Sequence, residues 1–397
     1  MKILVIHNEY LESGGEDEVV NSEIELLRGF GHQVILFKCS NREIDKLSLF
    51  DKGIFLINEA IFSKETYSTI KDIVKLEKPD VAHIHNIFLK ISPSVYSALR
   101  EEDVPIVQTL HNYRFLCPKG IFYRNGKICQ RCVKGNYFWA IIFGCWRGSR
   151  LATFFLTRVI NNMARAKVFE RKIDGYISLS DFSKAIFSRH GFSEDRIFVK
   201  PNFVNVDAEH SMENAGEFVL FAGRIADYKG INTFIRAIKK LPNVKFVIIG
   251  DGPLFRKISR LPERLKNISL TGRLSNEKTI EYMKKSRFVV FPSECYETFG
   301  RIVIEAFACG KPVVASNLES MSEIIQDRKT GMLFNVGDSN DLAAKIQWLW
   351  DNSQNTAEMG MLVRKEFENK YSRLIAYKKL LEIYEFIVYN NNKFIYE

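Results

Sequence analysis

Residues Phe288-Val-Val-Phe-Pro-Ser-Glu-Cys-Tyr-Glu297-Thr-Phe-Gly300-Arg-Ile-Val-Ile-Glu305-Ala-Phe-Ala-Cys-Gly310-Lys-Pro-Val-Val-Ala-Ser316 read as a buried strand, a loop and a helix. The apolar run Phe288 to Phe291 has the length and composition of a buried parallel strand, and Pro292 with Ser293 ends it. After Gly300, the residues Ile302, Val303, Ala306 and Phe307 recur at helical spacing until Gly310 and Pro312 stop the helix. Glu297 is therefore expected in the loop and Glu305 about two turns inside the helix. At ~1.5 Å of rise per residue this separates the two carboxylates by roughly 8 to 12 Å.

That span suits a ligand with two hydroxyl-bearing rings on either side of a diphosphate. Carboxylates offer only acceptors, so each would take hydroxyl donors. The backbone N–H groups at the helix start, from Gly300 through Ile302 to Val303, would take phosphate oxygens. A second segment supplies cations. Glu217-Phe-Val-Leu-Phe-Ala-Gly223 reads as a strand, and Arg224-Ile-Ala-Asp-Tyr-Lys229-Gly230 leads into a helical stretch from Ile231. A diphosphate carries about two negative charges, and a forked guanidinium beside an ammonium matches it.

Gly-Arg-x4-Lys-Gly, followed about seventy residues on by Glu-x7-Glu with Phe-Gly inside it, resembles the retaining glycosyltransferases of family 4. The resemblance implies the α/β GT-B fold, two Rossmann-like doubly wound domains facing each other across a cleft. It implies that Arg224 and Lys229 hold a donor diphosphate, Glu297 contacts the donor hexose and Glu305 binds the ribose. Gly250-Asp-Gly252-Pro253 resembles the family's turn near the base, and Gly272-Arg273-Leu274 the segment whose backbone reads the base edge. His111 matches a histidine beside the hexose, and Gly14-Gly15 a cleft loop near donor and acceptor. The Gly-Gly-Glu-Asp-Glu form departs from the commoner Gly-Gly-Ala-Glu, so Glu16 is not carried over. The implied domains are 1–200 on the acceptor side and 201–372 for the donor, with 373–397 crossing back onto the first.

A chain of 397 residues suits two domains, and alternating apolar strands and helical patterns make both α/β. The chain opens directly on a strand, Met1-Lys-Ile-Leu-Val-Ile-His7, and no apolar run reaches ~18 residues, so a cytoplasmic protein is expected. The first half also places histidines at the carboxyl ends of short strands, at His83, His85 and His111, the edge where ligands bind in open α/β sheets. Acids at Glu16, Asp17 and Glu18 complement a helix dipole but repel phosphate, which excludes a dehydrogenase-type cradle at that loop.

The formal net charge of +10 raises nucleic acid, anionic lipid and phosphorylated substrates as partners. No nucleic-acid signature accompanies it. Cations at Arg147, Arg150, Arg158, Arg165, Lys167, Arg171 and Lys172 interleave with Trp146, Leu151, Phe154, Phe155, Leu156, Val159, Ile160 and Met163. The pattern fits a helix peripheral on the anionic inner face of the plasma membrane, or a core helix with a basic outer face.

Cys117, Cys129, Cys132 and Cys145 lie within thirty residues, and Asn125-Gly126 predicts a type I′ hairpin that brings Cys117 toward Cys129-x-x-Cys132. A structural zinc site, reduced thiols or, least in a reducing compartment, disulfides fit this spacing. For catalysis no cofactor is expected. No D-x-D occurs, so Arg224, Lys229 and the helix start would stabilise a leaving diphosphate themselves.

The expected activity is transfer of a sugar from a UDP or GDP sugar to an acceptor hydroxyl with retention. Charge and family habit point to a polyprenyl-diphosphate-linked glycan in O-antigen or capsule assembly as acceptor. The alternatives are a nucleotide-sugar epimerase and a non-catalytic nucleotide-sugar-binding scaffold.

Overall fold

Short, largely apolar strands dictate the architecture. Val219–Ala222, Phe246–Ile249, Phe288–Phe291 and Val313–Ser316 are buried at every position, as strands covered on both faces must be. A computed structural model describes residues 1–11, 14–206 and 216–396 of the chain. It divides into two compact units, Met1–Ile121 with Gln130–Pro201 and Ala376–Glu397, and Phe122–Cys129 with Asn202–Ile375. Each unit is a Rossmann-like α/β layer structure with its own parallel sheet of six strands.

In the first unit, β1 (Lys2–Glu9), β2 (Gln33–Ser40), β3 (Val81–Asn86), β4 (Ile106–Thr109), β7 (Gly175–Ser178) and β8 (Ile197–Val199) run in the order β2-β1-β3-β4-β7-β8. Between β4 and β7 the chain makes a small antiparallel hairpin, β5 (Tyr123–Arg124) and β6 (Lys127–Ile128). The order reverses between β1 and β3, and in open sheets the crevice beyond the carboxyl ends of such strands is where ligands sit. One layer of the core joins Ile3, Val5, Val81, Val107 and Ile177 to Leu380, Tyr384 and Ile387 of the last helix, Arg373–Tyr396.

The second unit holds β9 (Val219–Ala222), β10 (Phe246–Ile249), β11 (Ile268–Gly272), β12 (Phe288–Phe291), β13 (Val313–Ser316) and β14 (Gly331–Phe334), ordered β11-β10-β9-β12-β13-β14. Counted within the unit this is 3-2-1-4-5-6, the order of dinucleotide-binding Rossmann sheets, with its reversal between β9 and β12. Phe221, Phe234, Phe246 and Phe288 fill the core under these strands. Each such ring contributes roughly 1.5 to 3 kcal/mol on burial.

The unit boundaries lie within a few residues of the expected 1–200, 201–372 and 373–397, with one larger difference. Residues 122–129 group with the second unit, where Tyr123 bonds to Asp227 and the Phe122 ring meets Tyr296.

Candidate functional site

The motifs of the second half are carried by neighbouring strands. β9 and β12 pair directly, Phe288 beside Val219 and Val289 beside Leu220. The loops that leave their carboxyl ends therefore start side by side. The β9 loop contains Arg224 and the short turn Asp227–Lys229; the β12 loop contains Ser293, Glu297 and Gly300. Backbone bonds join them, Glu294 N–H donating to Tyr228 C=O at 2.9 Å. At Gly230, which has φ +68°, the loops approach so closely that a Cβ would sit 1.7 Å from the Pro292 carbonyl oxygen.

Lys229 Nζ donates to Glu297 Oε1 at 2.6 Å, and Ser293 Oγ donates to the same oxygen at 2.6 Å. Burial opposes the charge on Lys229, but the Glu297 carboxylate outweighs it and holds the ammonium protonated well above its ordinary range. Burial pushes the neighbouring Cys295 thiol up to about 12, so it stays protonated.

Glu305 is buried in the helix Arg301–Ala308, with Arg301 Nε 3.0 Å from its Oε1. The helix begins at Arg301 with Gly300 as its cap, so Glu305 stands little more than one turn inside it, not two. Of the three expected N–H donors, Val303 is occupied: its N–H bonds to Gly300 C=O at 2.8 Å. Gly300 and Ile302 remain at the helix start.

Two further loops approach the β9 loop that carries Arg224. A Cβ on Gly250 would lie 1.9 Å from the Gly223 carbonyl oxygen, and one on Gly252 would lie 3.1 Å from Arg224 Cγ. Gly250 N–H donates to Gly272 C=O at 2.8 Å, with Arg273 and Leu274 following directly. The expected diphosphate and base residues, Arg224, Gly250, Gly252, Gly272 and Arg273, thus share the carboxyl edge of β9, β10 and β11.

In the first unit, Gly14 caps the helix Gly15–Gly29, its N–H donating to Asp17 Oδ2 at 2.9 Å, while Asp17 Oδ1 is 2.7 Å from His7 Nε2. His111 follows β4 and bonds through Nε2 to His85 Nδ1 at 2.9 Å. Burial pushes the His111 imidazole down to about 3, with Glu23 opposing, so His111 is neutral near pH 7.

Two clusters escaped the sequence reading. Tyr10 OH donates to Glu16 Oε2 at 3.0 Å, and Asn112 and Arg114 each reach Tyr10 OH at 3.2 Å. Burial pushes the Glu16 carboxyl up to about 7 against the pull of His7 and Arg114. Deeper, Glu23 accepts from Lys200 Nζ at 2.9 Å and lies 3.1 Å from His83 Nδ1. Burial would raise the Glu23 carboxyl, yet Lys200 and then His83 hold it well below the usual range. The only sequence signal was the apolar context around Lys200; its partner is 177 positions away.

Among the described residues, Glu23, His83 and His85 are the three ligand-capable side chains that gather within 4.8 Å, and Lys200 already supplies positive charge there. Cys117 and Cys132 are buried and Cys145 is partly buried, its N–H donating to Ala140 C=O at the end of the helix Phe138–Ile142.

The expected surface helix divides. In Arg150–Arg165, Leu156, Val159, Ile160 and Met163 are core residues, because the 3.6-residue period turns them inward. Leu151 and Phe154 are exposed, as are Phe138, Trp139 and Phe143 in the segment before. Guanidiniums lie over these rings, Arg131 over Trp139 at 5.3 Å and Arg158 over Phe154 at 5.9 Å. Among the described residues no helix is long and apolar enough to cross a membrane.

The family model of Glycosyl transferases group 1 matches residues 205–366, and that of Glycosyltransferase Family 4 matches residues 13–208. An uncharacterized 41.2 kDa protein in the cps region of Klebsiella pneumoniae is 30% identical over 344 residues, 80% of this chain and 86% of that protein. An uncharacterized glycosyltransferase of Methanocaldococcus jannaschii is 27% identical over 322 residues, 80% of this chain and 79% of that protein. HepE of Anabaena, solved in complex with UDP and glucose, is 18% identical, with a TM-score of 0.67 over 96% of this chain and 98% of that one.

Proposed function

Because the chain belongs to glycosyltransferase family 4 and has the GT-B fold, we propose that it moves a sugar, with retention, from a UDP or GDP sugar to an acceptor hydroxyl. The observation that carries this reading is the Lys229–Glu297 pair at the reversal point of the second sheet. A diphosphate entering there meets Lys229, Arg224 and the N–H groups at Gly300 and Ile302, four donors arranged for developing negative charge. They stabilise the leaving nucleoside diphosphate, and no metal is needed for that step. Glu305 takes the ribose hydroxyls. Glu297, released from Lys229 as the diphosphate takes the ammonium, accepts from the hexose. His111, neutral, orients the hexose without carrying a proton.

The acceptor in this reading is a polyprenyl-diphosphate-linked glycan of a surface polysaccharide, reached at the anionic inner membrane face. The exposed rings of Phe138, Trp139 and Phe143 beside Arg131 support that location, and the cps-region relative supports the pathway. The test is a panel of nucleotide sugars with and without lipid-linked acceptor, in EDTA. Nucleoside diphosphate release only when acceptor is present, with the anomeric configuration kept by NMR, is the expected result. Epimerised donor, or binding without turnover, would replace the reading with an epimerase or a scaffold.

A further inference from the structure

The hairpin of residues 122–129 belongs to neither large sheet. Asn125 and Gly126 have φ +50° and +75°, as a type I′ turn requires, and Cys129 N–H closes its base on Phe122 C=O at 2.7 Å. Its first residue is unusual. Phe122 is fully buried yet adopts φ +47°, a left-handed conformation that a bulky aromatic holds only where its surroundings enforce it.

Those surroundings are the two loops of the candidate site. The Phe122 ring stands edge-on to Tyr296 at 6.1 Å, one residue before Glu297. The Tyr123 ring stands edge-on to Tyr228 at 6.3 Å, one residue before Lys229, and its hydroxyl donates to Asp227 Oδ2 at 2.7 Å. Asp227 begins the turn that presents Lys229: its carbonyl accepts from Gly230 N–H at 2.9 Å, and its Oδ1 from Asn232 Nδ2 at 3.0 Å. The hairpin thus touches the residue before each partner of the Lys229–Glu297 pair. Behind it a cavity of about 450 Å³ is lined by Tyr123, Gly126, Thr233 and Arg236. The two rings and the Tyr123 hydroxyl are what join the hairpin to the residues next to Lys229 and Glu297.

We propose that this hairpin is a positioning element of the donor site, with the Tyr123 hydroxyl setting the Asp227–Lys229 turn and thereby the affinity for a nucleoside diphosphate. The inference rests on the reading that Lys229 holds the diphosphate. Asp227 held at both carboxylate oxygens fixes the turn before ligand arrives, so less ordering remains to be done on binding. The phenol is a lasting donor, since burial and the Asp227 charge raise its ionisation far above neutral pH.

The experiment uses the full chain and UDP as probe, with GDP in parallel. Tyr123→Phe keeps the ring and removes only the hydroxyl. Calorimetry is expected to show about a tenfold loss of affinity for whichever nucleotide binds, with thermal midpoint unchanged. In turnover the donor KM rises by the same factor while kcat holds. Asp227→Asn is expected to lose a similar amount, and the double variant no more than either single one, as for partners in one interaction. Unchanged affinity in Tyr123→Phe while Lys229→Ala binds weakly overturns the positioning role and leaves the donor site standing. Fully additive losses, or losses that follow a lowered thermal midpoint, overturn it too. If Lys229→Ala binds as the parent does, the donor-site reading itself falls.

Discussion

Lys229 Nζ and Glu297 Oε1 are 2.6 Å apart across 68 positions of sequence, and both lie on loops from adjacent strands. Under the proposed donor-site reading this ion pair holds the place of a diphosphate, and an incoming phosphate would exchange one anionic partner of the ammonium for another. Lys229→Ala is expected to weaken UDP or GDP binding by roughly 1.5 to 3 kcal/mol, the range for a hydrogen bond to a charged group. Calorimetry with an unchanged dissociation constant would remove Lys229 from the site.

The two glutamates should separate. Glu305→Ala is expected to weaken the nucleoside as well as the nucleotide, whereas Glu297→Ala leaves nucleotide affinity near that of the parent and lowers transfer. Binding and turnover measured on both variants check this, and equal effects on binding would deny the division of roles.

Gly230→Ala strains the loop twice. Its φ of +68° disfavours a Cβ, and that Cβ would meet the Pro292 carbonyl oxygen at 1.7 Å, a backbone atom that cannot swing aside. A loss on the order of 2 to 4 kcal/mol in urea unfolding is expected. Parent-like stability would mean that the two loops do not approach this closely.

Glu16 gives a pH signature. Its carboxyl is raised from 4.5 to about 7 in the fold. A raised carboxyl binds more protons folded than unfolded between those values, so its contribution to stability is complete below 4.5 and is lost as pH rises through about 7. Glu16→Gln, neutral at every pH, should therefore gain on the parent between pH 5 and 8. Thermal midpoints of both proteins across that range test it, and a constant difference would show that Glu16 titrates normally.

Trp139→Ser with Phe143→Ser is expected to reduce co-sedimentation with vesicles containing anionic lipid by about tenfold or more, leaving UDP binding intact. Exposed aromatic rings flanked by guanidiniums add apolar burial to charge attraction at such a surface. Vesicle binding that persists in the double variant would move the membrane contact elsewhere.

The alternation of buried strands and helices, the two α/β units and the residue types of the donor motifs were all legible in the chain. Burial on both faces writes itself as runs such as Phe288 to Phe291, and a tight turn as Asn125-Gly126. These are local signals, set by solvent exclusion and backbone sterics over a few residues. The sequence also placed Arg224, Lys229, Glu297 and Glu305 on the right kinds of element, though Glu305, four residues after the first helical residue Arg301, stands a little over one turn inside the helix rather than two.

Strand order is not local. That β9 lies against β12, so that Lys229 meets Glu297, is decided by which strands pair, and pairing depends on the whole sheet. The same holds for Lys200 and Glu23, which bury a charge pair from distant parts of the chain, and for the helix Arg150–Arg165, whose Leu156, Val159, Ile160 and Met163 became core once other elements covered them. Hairpin 122–129 is the sharpest case: its turn is written in two residues, but its position against Asp227 and Tyr296 follows from packing, because aromatic rings and a phenol bond wherever complementary surface is brought to them.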